Sequence, residues 1–141
     1  MLDSSVLVKL VLEEEASDLA KATVTRILDG GEAISTTESA LPEAGNAIWK
    51  RAHLLHQLGE EEYHKAMDSA IRLTTCIRLT PTTEIAAEAS EIALKQGITF
   101  YDSLYIAAAQ QAGARLLTAD KKQHQAARRR VESTLIGRQT A

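Results

Sequence analysis

Four short apolar runs, Ala33-Ile34-Ser35, Cys76-Ile77-Arg78-Leu79, Ala114 to Thr118 and Val131 to Ile136, are separated by long stretches of helical period. Short apolar strands that alternate with helices are the signature of a parallel sheet covered on both faces. Ligands of such sheets bind beyond the carboxyl ends of the strands, so each acid that follows a run is informative.

The helices follow from periodicity and punctuation. Leu7, Val8, Leu10 and Val11 predict a first helix after Ser4 or Ser5. A second covers Leu19 to Leu28 and stops at Asp29-Gly30-Gly31. A third runs from about Leu41 to Leu58, with Pro42 in its first turn, where a missing N–H costs nothing. Glu60 to Thr74, Thr83 to Lys95 and a stretch capped by Thr99 and ending at Ala112 are helical, with Gly97 and Gly113 as stops. Asp120 to Arg130 is the last helix.

A chain of 141 residues fits one domain that buries roughly two-thirds of its unfolded surface. The expected domain spans 1–137, with 138–141 as a short tail. At 45% hydrophobic and 25% charged residues the chain is globular. Its net charge of -3 gives no global positive field of the kind that marks many nucleic-acid binders. The single cysteine, Cys76, excludes an internal disulfide and a cysteine-rich zinc site, and is expected as a small buried apolar residue. Neither a signal peptide nor an apolar stretch of roughly 20 residues is visible, so a cytoplasmic location is expected.

Two acids follow strands directly: Asp3 after Met1-Leu2, and Asp120 after Arg115-Leu116-Leu117-Thr118-Ala119. Asp102 and Glu43 fall in the first turns of helices. Singly, each has an ordinary reading as a helix cap or as compensation for the helix dipole. Together they would converge at one sheet edge, where like charges within about 6 Å raise one another's pKa unless a cation intervenes. Hard oxygen ligands of this type select Mg²⁺ or Mn²⁺.

The stretches "LDSSVLVKLVLEE", "ALPEAGNAIWK", "GITFYDSLYIAAAQQAG" and "RLLTADKK", in that order, resemble the motifs of PIN-domain ribonucleases, and most of all the VapC toxins of toxin–antitoxin pairs. The likeness covers Met1 to about Ile136. It implies a three-layer α/β/α sandwich with a central parallel sheet of about five strands. It also implies a Mg²⁺- or Mn²⁺-dependent endoribonuclease that pairs with a VapB-like antitoxin, acts on RNA and forms a homodimer. The family's catalytic and metal-binding acids map onto Asp3, Glu43, Asp102 and Asp120, with Ser5, Asn46 and Thr118 as supporting residues. Alternatives are a PIN nuclease of RNA processing and a receiver-type phosphoacceptor. The latter needs an Asp after a middle strand, which neither Ala33-Ile34-Ser35 nor the Cys76 run supplies.

Two departures stand out. Family members usually carry more residues before the first Asp, so an upstream native start is expected. Lys122, Gln123 and His124 stand where a further acid often follows. Other signals have ordinary explanations. His53 and His56 lack further ligands, Glu13-Glu14-Glu15 and Glu60-Glu61-Glu62 read as exposed helix starts, and Trp49 reads as a core or dimer-interface residue. Glu38 competes with Glu43 but has no neighbouring Pro or Asn at the same spacing. Lys121-Lys122 with Arg128-Arg129-Arg130 is either a solvated helix end or a phosphate-steering rim.

Overall fold

The computed structural model describes residues 1–137, and the expected tail at 138–141 lies outside them. The elements are α1 (Ser4–Val11), α2 (Ser17–Asp29), β1 (Ser35–Thr37), α3 (Ala40–Trp49), a π-helical turn (Lys50–Leu54), α4 (Glu60–Cys76), β2 (Arg78–Thr80), α5 (Thr82–Gln96), α6 (Phe100–Ala112), β3 (Leu116–Thr118), α7 (Lys121–Ala127) and β4 (Ser133–Leu135).

β1 pairs in parallel with β2, and β3 with β4. The extended segment Met1–Asp3 lies between the two pairs. The Leu2 amide donates to the Ser35 carbonyl at 2.9 Å, and the Leu117 amide to the Met1 carbonyl at 2.8 Å. Leu2 forms a parallel bridge with Leu117. Five extended segments thus run side by side in the order β2, β1, Met1–Asp3, β3, β4. From Met1 the chain steps outward through β1 to β2, then returns and steps the other way through β3 to β4. The reversal lies between Met1–Asp3 and β3, the switch point at which open α/β sheets form their ligand crevice.

The helices fall into two groups: α1 packs on α2, α3 and α4, whereas α6 packs on α5 and α7 and touches β1 and β3. The core contains Leu2, Leu7, Ile48, Ile92, Ile106 and Leu116. In α6 every residue from Ser103 to Ala109 is buried, as expected for a helix apolar all round. Gly97 and Gly113 end α5 and α6 in the left-handed conformation at φ 64° and 60°, where a Cβ is penalised.

Several boundaries differ from the sequence reading. β1 starts at Ser35, so its buried pair is Thr36 and Thr37, not Ala33 and Ile34. Threonine is tolerated there because its hydroxyl is satisfied: Thr36 donates to the Leu2 carbonyl at 2.7 Å. α3 gives way to the π turn and does not reach Leu58. α4 runs on to Cys76, which is exposed rather than buried, because it lies off the buried stripe of Ala66, Ala70 and Thr74. α7 stops at Ala127, leaving Arg128–Arg130 in a turn. Among the described residues, no helix is long and apolar enough to cross a membrane.

Candidate functional site

Asp3 is held by its own surroundings. Its Oδ1 accepts from the Val6 amide at 3.0 Å, capping α1, and from the Ser5 hydroxyl at 2.6 Å. Its Oδ2 accepts from the Thr118 hydroxyl at 2.6 Å. Asp3 therefore caps α1 as a buried carboxylate, 2% exposed, at the switch point. Ser5 also accepts from the Ala119 amide at 2.9 Å, which fastens α1 to the end of β3.

Asp120 caps α7 by accepting from the Gln123 amide at 2.8 Å. Asp102 occupies the first turn of α6, whose cap Thr99 accepts from the Asp102 amide at 3.0 Å. Glu43, in the first turn of α3, accepts from the Tyr105 hydroxyl at 2.6 Å and, more weakly, from Ser4 at 3.4 Å. Asn46 lines a hollow beside Glu43.

Burial pushes the Asp3 carboxyl up to about 6; the Ser5 and Thr118 hydroxyls oppose the rise, and the charge of Asp102 adds to it. Glu43 is raised mainly by burial, with Tyr105 opposing and Asp102 again adding. Asp102 is itself raised by burial and by the charge of Asp120, against the Thr99 hydrogen bond and the Lys122 ammonium. Asp102 is therefore electrostatically coupled to each of the other three acids. Tyr105, buried against Glu43, is raised far above its ordinary range and stays a proton donor.

Hard oxygen donors of this kind suit a divalent cation, which would offset both the burial and the mutual repulsion of the ionised acids. Among the described residues, no three His, Cys, Asp or Glu side chains are drawn together tightly enough to enclose one as they stand. A shared cation would have to draw them closer.

Several residues of the site escaped the sequence reading. Tyr105 looked like one more apolar residue of α6, although it lies one turn beyond Asp102 and so on the same face. Gln123 is 1% exposed; its amide donates to the Asp102 carbonyl at 3.1 Å and its oxygen lies 3.0 Å from the Thr118 hydroxyl. It thus ties α6 to β3 at the point where an acid was expected. Other signals resolve simply. Glu38 accepts from the Thr82 amide at the start of α5. Glu14 lies in the α1–α2 connection, paired with Lys9 and Arg51 rather than solvated. Arg130 turns to Glu88 of α5 and Gln110 of α6, while the charge of Lys122 reaches Asp102.

The family model described as the PIN domain matches residues 1–129. The chain belongs to the PIN-domain family. Two similar proteins are from Pyrobaculum aerophilum. Ribonuclease VapC3 is 29% identical over 122 residues, which is 86% of this chain and 89% of the relative. Exonuclease VapC9 is 28% identical over 91 residues, covering 64% and 65%. The crystal structure of PAE2754, also from Pyrobaculum aerophilum, superposes with a TM-score of 0.66 at 24% identity, over 94% of this chain and 86% of that one. That likeness supports the α/β fold. PIN nucleases generally depend on divalent metal ions.

Proposed function

We propose that this PIN-domain protein is a Mg²⁺- or Mn²⁺-dependent endoribonuclease acting in the cytoplasm as the toxin of a VapBC-type pair. The reading is supported by the placement of Asp3, Glu43, Asp102 and Asp120 at strand ends and helix first turns of a PIN-domain chain, with the charge of Asp102 felt at Asp3 and Glu43 and that of Asp120 at Asp102. The VapC names of the two relatives add support.

In this reading the four acids hold the cation. The bound ion supplies a Lewis acid for the phosphodiester and a lowered pKa for attacking water. Ser5 and Thr118 fix the Asp3 carboxylate through both of its oxygens, and Gln123 keeps the Asp102 backbone in register with Thr118. Tyr105 holds Glu43 by a short hydrogen bond, and Lys122 tempers the charge of Asp102. Asn46, beside Glu43, is placed to contact water or substrate. Homodimer formation is supported by the exposed apolar residues Trp49 at the end of α3, Leu54 in the π turn and Leu55 just beyond it.

Expression of the wild-type chain alone should arrest growth, and co-expression of a VapB-like antitoxin should relieve the arrest. Normal growth alongside metal-dependent RNA cleavage by the purified protein would instead assign it to RNA processing.

A further inference from the structure

α3 and the turn after it present Glu43, Ala47 and Arg51 at helical spacing, with Lys50 beside them. Three hollows meet along this line. The first, of about 450 Å³, lies between Glu43, Asn46, Lys50 and the exposed Tyr101. The second, of about 350 Å³, is bounded by Ser4, Ser5, Lys9, Arg51 and Asp120. The third, of about 510 Å³, continues outward past Lys9, Lys50 and Arg51 to Gln57. Ala47 lines all three, so they adjoin along α3 as one furrow, with Glu43 in the first hollow and Asp120 in the second.

The cations of the second hollow are held in place. Glu14 accepts from Lys9 at 3.1 Å through one oxygen and pairs with Arg51 through the other. Lys9 also donates to the Glu15 carbonyl at 2.8 Å, and Arg51 to the Ala47 carbonyl at 3.4 Å. An ammonium has three donors and a guanidinium five, so these bonds leave N–H groups over for a ligand. Glu14 offsets one of the two charges and fixes both side chains, which lowers the entropic cost of binding an anion between them.

We propose that this furrow is the track of single-stranded RNA, with Lys9 and Arg51 holding the phosphodiester next to the one cleaved. Tyr101, 56% exposed at the other end, offers a ring face for a base on the far side of the acids. A strand suits the site better than an acidic peptide because the furrow offers a stacking face at Tyr101 as well as cations at Lys50, Lys9 and Arg51, as a chain of alternating bases and phosphates requires. The proposal rests on the nuclease reading for the place of the cleaved bond, but RNA binding can be tested apart from cleavage.

The test is fluorescence anisotropy of labelled oligouridine, titrated in EDTA with Asp102→Asn protein so that turnover and one repelling charge are removed. Adding Lys9→Gln and Arg51→Gln should weaken binding about tenfold and flatten the slope of log affinity against log salt by about 0.7, the value for one single-strand phosphate. Ala47→Phe, which removes no charge or hydrogen bond, should weaken binding with the slope unchanged. Unchanged affinity in both variants overturns the track, as does no binding by the parent or displacement of oligouridine by polyglutamate. Metal-dependent RNA cleavage by the wild type, assayed in parallel, separates the two readings. Cleavage with unaltered binding in the variants leaves the nuclease and removes the track. Weakened binding with no cleavage leaves an RNA-binding furrow without the nuclease.

Discussion

Asp102→Asn should abolish RNA cleavage while leaving the protein folded and slightly more stable in the absence of metal. The loss should exceed the roughly 10- to 100-fold cost of removing an outer partner of a metal ligand. Asp102 carries this effect because its charge raises Asp3 and Glu43, and Asp120 in turn raises Asp102. Removing it relieves repulsion at the three other acids at once, and takes one oxygen ligand from the cation. The asparagine keeps the side chain's size, and its backbone amide still reaches Thr99, so the start of α6 is undisturbed. Cleavage rates and thermal unfolding in EDTA check the two halves separately. A purified variant with wild-type activity would remove Asp102 from the catalytic set.

The second large effect is on stability. Asp3 rises from 3.8 to about 6 on folding. The folded state therefore favours the protonated acid, and that contribution is complete below about pH 4 and lost as pH rises through about 6. A difference of about two units corresponds to about 3 kcal/mol. In metal-free protein, the stability of wild type relative to Asp3→Asn should fall by about that amount between about pH 4 and about pH 7. The asparagine is tolerated because it imitates the protonated acid. Its amide can donate to the Thr118 oxygen, which frees the single Thr118 proton for the Gln123 oxygen 3.0 Å away. Saturating divalent cation should shrink the pH-dependent loss, because it stabilises the ionised form. Parallel stability curves for the two proteins would contradict the burial of this carboxylate.

What was legible in the sequence was mainly what local chemistry dictates. Helices α2, α5 and α6 end where Asp29-Gly30, Gly97 and Gly113 end them, and Thr99 caps α6. Asp3 and Asp120 stood out because strand–acid–helix junctions in a parallel sheet face one edge, whereas Glu43 and Asp102 were singled out by the family resemblance. β1 was misplaced by two residues because apolarity pointed to Ala33 and Ile34, whereas the buried positions went to Thr36, whose hydroxyl reaches the Leu2 carbonyl on the neighbouring segment, and Thr37, whose hydroxyl pairs with Ser39 at the start of α3. Gln123 and Tyr105 were missed for a related reason: their partners, Asp102, Thr118 and Glu43, are distant along the chain or lie on another element. The ion cluster of Lys9, Glu14 and Arg51 joins three separate segments and has no local signature at all.

The central claim, that these acids form a divalent-metal centre for RNA hydrolysis, is tested most directly by cleavage of RNA in EDTA followed by re-addition of Mg²⁺ or Mn²⁺. No cleavage in chelator, and recovery on re-addition in wild type but not in Asp102→Asn, with 5′-phosphate ends on the products, is the expected result. Cleavage that persists in EDTA, or that returns equally in both proteins, would contradict it.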